Sequence, residues 1–193
     1  MISFLEGNIE YRGDKFVILN AGGIGYKVNI VPKLLNSLSK SQDKVKLFVH
    51  SQLNMREGTF DMYGFPDREG LELFNLLIGV SGIGPKNALG ILSSIEPKHL
   101  KAAIVNDDPS YLNKISGLGP KTAQRLVLEL KNKVDHIDIG DMQGLDLGQE
   151  GHAMDALLSL GYSPSQAKDA LKEAKGKTLE ERVREALKML GKK

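Results

Sequence analysis

Among its 193 residues the chain has no cysteine and no tryptophan, and aromatics make up only 6%. Without cysteine there is no disulfide, no thiol nucleophile, no iron–sulfur cluster and no cysteine-bound zinc, which suits a reducing compartment. Scarce aromatics argue against binding nucleic acid by stacking single-stranded bases on aromatic platforms. The four histidines, His50, His99, His136 and His152, show no metal-ligand spacing. No run approaches the ~20 apolar residues that cross a bilayer. The start, MISFLEGNIEYRGDK, lacks the cationic and apolar stretches of a signal peptide. These absences lead us to expect a cytoplasmic protein with no membrane partner, no metal and no other cofactor.

Charge of one sign is lacking too, with 26 Lys and Arg against 24 Asp and Glu. The distribution is uneven. Residues 1–134 hold 17 basic against 13 acidic residues, and residues 135–193 hold 9 against 11. The basic excess in the first two thirds permits phosphate binding there.

Residues 1–65 read as strands: FLEGNIEYRG, KFVILNAGG, YKVNIV, KVKLFVH and a fifth around Thr59–Gly64, separated by turn signals such as Asn20-Ala21-Gly22-Gly23. Five short strands in this length predict an OB-type barrel, with a two-sheet sandwich as the alternative. From Arg68 to Val134 the period becomes helical, as in Leu71, Phe74, Leu77 and Ile78. Asp67 can cap the first helix, and Pro97 and Pro109 suit first helical turns. Residues 135–150, DHIDIGDMQGLDLGQE, are rich in Asp and Gly and read as a flexible acidic linker. Residues 151–193 read as three short helices, one with a Ser163 cap before Pro164 and one opening on a Thr178–Glu181 capping box. So small a bundle has a marginal core and suits docking better than catalysis.

Two segments of the helical region repeat each other. LIGVSGIGPKNALGIL at 77–92 and LNKISGLGPKTAQRLVLEL at 112–130 share Ser-Gly-(Ile/Leu)-Gly-Pro-Lys-x-Ala. This is the pattern of a helix-hairpin-helix motif. Gly82, Gly84, Gly117 and Gly119 allow a tight hairpin with positive φ and close backbone approach. Ile83 and Leu118 are expected to tuck into the helix joint. Pro85 and Pro120 stand at the start of the next helix, where a missing N–H costs nothing. The helix start then aims bare N–H groups and the positive dipole end at an anion, with Lys86 and Lys121 adding charge. Such a clamp holds phosphates without reading sequence, and a pair can grip both strands across one minor groove. A purely structural αα-hairpin is the plainer reading. Asn87, Thr122 and Arg125, on the following helices, can add phosphate contacts or be ordinary surface.

Two enzymatic readings compete. Gly79-x4-Gly84 resembles the opening of a P-loop, but Pro85 separates Gly84 from Lys86, and Asn87 stands where Ser or Thr is needed. In the second hairpin position 114 is Lys rather than Gly. Glycosylases with lyase activity place a Schiff-base lysine where Lys86 and Lys121 stand, with an Asp downstream. Asp107 or Asp138 would have to serve, and neither lies in a segment that predicts a buried pocket.

The whole chain resembles the RuvA family of Holliday-junction-binding proteins. The marks are the Met-Ile start, Gly22-Gly23-Ile24-Gly25-Tyr26, Tyr63-Gly64-Phe65, the two hairpins and Leu160-Gly161-Tyr162, in that order. The resemblance implies a homotetramer, one or two per junction, each protomer holding one DNA arm by its backbone. It implies a C-terminal UBA-like bundle that binds the hexameric ATPase RuvB, with Leu157, Leu160 and Tyr162 at that contact, and a RuvC-type junction resolvase as a further partner. It also implies an acidic pin at the junction's centre. Glu57 matches the first acid of the pin, whereas Gly58 stands where a second acid is often found. Four like charges there would repel phosphates, and Asp61 could compensate. Glu57 can also be read as a solvated loop acid, and Leu157 and Leu160 as bundle core.

The expected organisation is α+β and multidomain: a five-stranded OB-fold barrel at 1–65, a tandem helix-hairpin-helix domain at 66–134, the linker at 135–150 and a three-helix bundle at 151–193. Expected function is structure-specific, sequence-independent binding of four-way junction DNA, in recombination and repair, with ATP hydrolysis left to the motor. A general DNA-binding accessory domain predicts equal affinity for plain duplex. A protein-interaction adaptor leaves the twin clamps unexplained.

Overall fold

Alternation of apolar and polar residues builds the first unit of the computed structural model, which describes residues 1–38, 44–55, 58–134, 147–174, 176 and 178–191. The strands are β1 (Phe4–Arg12), β2 (Phe16–Ala21), β3 (Ile24–Asn29), β4 (Val45–Asn54) and β5 (Thr59–Phe65). Every second residue points inward: Val17 and Leu19 on β2, and Val45, Leu47 and Val49 on β4, are buried in one core with Leu5, Val28 and Met62. The sheet closes into a barrel in the neighbour order β1-β2-β3-β5-β4, with β3 and β5 parallel and the other pairs antiparallel. The five-stranded barrel expected from the strand count is therefore what forms, rather than a sandwich.

One element departs from that reading. Helix α1 (Pro32–Leu38) interrupts the region read as strands and packs Leu34 under the barrel core. Pro32, Leu34, Leu35 and Leu38 have helical spacing, but a helix of 7 residues is too short for its period to stand out.

Five helices follow: α2 (Arg68–Ile78), α3 (Pro85–Ser94), α4 (Pro97–Val105), α5 (Pro109–Ser116) and α6 (Pro120–Leu130). Four of them open on proline, whose fixed φ suits the first turn. Asp67 caps α2 by accepting from the Gly70 N–H at 2.7 Å, and Asp108 caps α5 by accepting from that of Tyr111 at 2.9 Å. The buried face of each helix meets the others in a single apolar core, which also takes in Tyr63 and Phe65 from the end of β5. There Phe74 on α2 lies 5.3 Å from Tyr63 and 5.0 Å from Phe65, ring centre to ring centre. His50 on β4 bonds through Nδ1 to Oδ1 of Asn75 at 2.9 Å, and Lys33 on α1 bonds to Glu96 before α4 at 2.8 Å. Barrel and helices thus share apolar and polar contacts.

The last helices are α7 (Leu147–Ser159), α8 (Pro164–Glu173) and α9 (Leu179–Leu190). Both anticipated caps form: Ser163 and Thr178 each make a full capping box, with Gln166 and Glu181. The bundle core is built largely of small residues, Ala153, Ala167, Ala170 and Ala186, around Met154, Leu157 and Leu171. Helix α7 begins at Leu147, inside the segment read as linker, because a helix once nucleated extends past its apolar pattern. Residues 135–146 and Glu57 lie outside the described residues.

Candidate nucleic-acid interface

Each hairpin is built by a short turn between two helices of the core. In the first, α2 ends at Gly79, the turn closes through Val80 N–H to Leu77 O at 3.1 Å and Ile83 N–H to Val80 O at 3.0 Å, and α3 begins at Pro85. Ile83 is buried between the helices, as its position between two glycines suggested. In the second, α5 leads through Gly117, Leu118 and Gly119 into α6. Here side chains brace the turn: Asn113 donates to the Leu118 carbonyl, Ser116 donates to that of Leu112, and the Leu118 N–H donates to Ser116 Oγ at 3.4 Å.

The four hairpin glycines divide into two kinds. Gly82 has φ of +91° and Gly117 of +70°, backbone that an L side chain adopts only with strain. Gly84 and Gly119 do not share this, contrary to the expectation of positive φ: they are extended helix caps with φ of −85° and −62°. A Cβ at either would meet no atom of the chain within 4 Å. Neither strain nor crowding inside the protein requires glycine there. Its consequence is at the helix end: no side chain caps α3 or α6. The intrahelical ladders begin with Ala88 N–H to Gly84 O and Ala123 N–H to Gly119 O. The preceding N–H groups, on Lys86 and Asn87 and on Lys121 and Thr122, face outward at the positive end of a helix.

Packing brings the two hairpins to one place. Gly82, Lys86, Asn87, Gly117, Gly119 and Thr122 line a single cleft of about 360 Å³. Gly84, Lys121 and Arg125 stand outside its lining. Lys86 and Lys121 are exposed, and neither has an ion-pair partner among the described residues. Arg125 lies on α6 but donates through Nη1 to the Ser81 carbonyl in the first hairpin at 3.3 Å. It therefore has a protein partner in addition to any phosphate.

Sequence reasoning missed Gly90 and Ser94, which also line the cleft. Their signal was available, since Lys86, Gly90 and Ser94 stand four apart and so stack along one stripe of α3.

The lyase reading fails on its surroundings. It needs a buried lysine near a catalytic carboxylate, whereas both hairpin lysines are exposed. Asp107 is held by Lys131 at 2.8 Å, and Asp138 lies outside the described residues. In the C-terminal bundle the three residues expected at the motor contact separate. Leu157 is fully buried in the bundle core, so it supports the fold rather than offering a surface. Leu160 is 60% exposed, and Tyr162 is half-buried against the core. No described helix is long and apolar enough to cross a membrane.

Comparison with known proteins divides the chain into the same three parts. Residues 1–64 match the RuvA N terminal domain family, residues 74–132 the SAM-like helix-hairpin-helix tandem, and residues 151–191 the RuvA C-terminal domain. A protein of Halothermothrix orenii named Holliday junction branch migration complex subunit RuvA is 42% identical over 196 residues, covering 100% of this chain and 99% of its own. Its namesake in Geobacter sp. strain M21 is 38% identical over 98% of this chain and 99% of its own. The one in Acetivibrio thermocellus is 34% identical over 89% and 88%. The matches run in the order of the barrel, the twin hairpins and the bundle, and on that evidence the chain belongs to the RuvA family.

Proposed function

We propose that the chain binds four-way junction DNA by its backbone and delivers a motor to it for branch migration. One observation carries this reading: two bare helix N-termini, each followed by an exposed lysine, converge on one cleft. Bare N–H groups and a dipole end hold phosphate oxygens without regard to sequence. Gly82, Gly84, Lys86 and Asn87 form one half of the clamp, and Gly117, Gly119, Lys121 and Thr122 the other. Arg125 sets their spacing.

The names of the relatives, Holliday junction branch migration complex subunit, support junction binding and a partner subunit in the complex. A homotetramer, single or paired face to face, supplies one clamp set to each arm, with Glu57 of each protomer at the centre. Residues 135–146 join the core at 1–134 to the bundle that opens with α7 at Leu147, and the bundle binds RuvB through Leu160 and Tyr162. ATP hydrolysis belongs to RuvB, a RuvC-type resolvase is a further partner, and the setting is cytoplasmic.

The test is competition between a four-way junction and linear duplex of matched length, at near-physiological salt, because low salt inflates non-specific binding. Expected is a large preference for the junction that is lost in Lys86→Ala/Lys121→Ala. Equal affinity for both DNAs would overturn junction recognition and leave a general DNA-binding module.

A further inference from the structure

The hairpin of β4 and β5 extends beyond the closed part of the barrel. Strand β1 pairs with β4 at Val45–Phe48, Ser3 and Ile2 before it bond to Val49 and Ser51, and β3 pairs with β5 at Tyr63, whereas β4 and β5 remain paired with each other out to Asn54 and Thr59. Directly paired residues of an antiparallel ladder point to the same side and alternate along it. The pairs Ser51–Met62 and Leu53–Phe60 therefore share one face. Met62 is buried in the barrel core; one step further out, Leu53 is 60% and Phe60 51% exposed. Met55, in the turn just past the end of β4, is 82% exposed. The inward row of the barrel thus runs on into solvent as Leu53 and Phe60, with Met55 exposed at the turn that follows. A single exposed leucine needs no explanation, but a contiguous row at a projecting tip does.

The proposed function puts Glu57 at the centre of the junction, and a role for the apolar row there rests on that reading. Met55 precedes Glu57 by two residues and Phe60 follows it by three, so at ~3.4 Å per residue they travel with it to within about 10 Å. The outside of a duplex is sugar and phosphate and gives an uncharged row no complement. The apolar surface a nucleic acid can offer is the face of a base that has left its stack. We propose that Leu53, Met55 and Phe60 receive bases unpaired at the point where strands exchange. The pin acid repels phosphates while the apolar row shelters bases, and both favour separated strands. This is a local wedge of a few side chains, compatible with the scarcity of aromatics in the chain.

The experiment uses the full chain and an immobile four-way junction carrying 5-iodouracil at the exchange point, with the same base in mid-arm as control. Irradiation and peptide mapping are expected to give crosslinks to Met55 or Phe60 from the exchange point only. No crosslink there, or crosslinks only to other residues, overturns the inference. As a second readout, Met55→Ser/Phe60→Ser should lower junction affinity about tenfold and leave duplex affinity unchanged, since only the junction offers unstacked bases. The assembly mass of this variant should equal that of the wild type; a changed mass makes the row a contact between copies and overturns the inference. Wild-type protein that does not prefer the junction refutes the junction reading itself, and this inference falls with it.

Discussion

Arg125 Nη1 donates to the main-chain carbonyl of Ser81 at 3.3 Å, across 44 residues of chain. The bond runs from the helix of the second hairpin to the loop of the first, so it links the two turns proposed to engage one piece of DNA together. A guanidinium spent on a carbonyl differs measurably from one spent on a phosphate. Each neutralised phosphate steepens the dependence of log affinity on log salt by about 0.9. Arg125→Gln is expected to lower junction affinity by about three- to tenfold, the worth of one hydrogen bond, with the salt slope unchanged. A slope reduced by about 0.9 would show a phosphate contact instead.

Gly84 and Gly119 are open to a substitution in which stability and binding move oppositely. Serine is a strong helix N-cap, and its Oγ would accept the N–H of Asn87 or Thr122, adding about 0.3 kcal/mol of stability over glycine. The same bond withdraws a donor from the phosphate. Gly84→Ser and Gly119→Ser should each raise the melting temperature and weaken DNA binding severalfold. Alanine at Gly82 or Gly117 should instead destabilise by about 1 kcal/mol, because φ there is positive. Chemical denaturation beside a binding titration reads both effects; serine variants that bind DNA like the wild type would remove the N-termini from the interface.

Leu157 and Leu160 are three residues apart and are expected to fail differently. Leu157→Ala opens a cavity in the bundle core and should cost about 2–5 kcal/mol, unfolding so small a unit. Leu160→Asp changes an exposed side chain, so the bundle should stay folded by amide exchange while its affinity for RuvB falls. If Leu160→Asp binds RuvB normally, the contact lies elsewhere on the bundle.

Glu96 links stability to pH. The hydrogen bond from Lys33 is the main reason its carboxyl sits below the usual glutamate range; partial burial opposes this, and the charges of Lys33, Lys98 and His99 add to the lowering. A carboxyl with a depressed folded value stabilises the fold above its unfolded value, about 4.3, and loses that contribution as pH falls through the folded value. Lys33 is exposed and Glu96 only partly buried, so solvent screening keeps the effect to at most about 1 kcal/mol. Lys33→Met should melt slightly below the wild type at pH 7, and the gap should close as pH drops below about 4.3. A gap that is constant down to pH 3 would mean the ion pair contributes nothing.

Features set within a few residues of one another were open to reading in advance. The two Gly-x-Gly-Pro-Lys turns, the caps at Asp67, Ser163 and Thr178 and the prolines that open helices depend on neighbours one to four positions away. The strand alternation was legible for the same reason, whereas α1 was too short for its period to show.

Other features arise only when distant segments pack. Which hairpin glycines turn left-handed, and which are bare caps, depends on how each helix enters the core, so Gly82 and Gly84 look alike in sequence yet differ in φ. The shared cleft, the reach of Arg125 to Ser81 and the use of Phe65 against Phe74 join residues from separate elements. Burial also separates Leu157 from Leu160, because the close approach of α7 and α8 encloses one face of α7 and leaves the next turn in water. Local dihedral preferences and capping chemistry act along the chain and can be read there; distances across it are set by how side chains fill a common core, and exist only once it has formed.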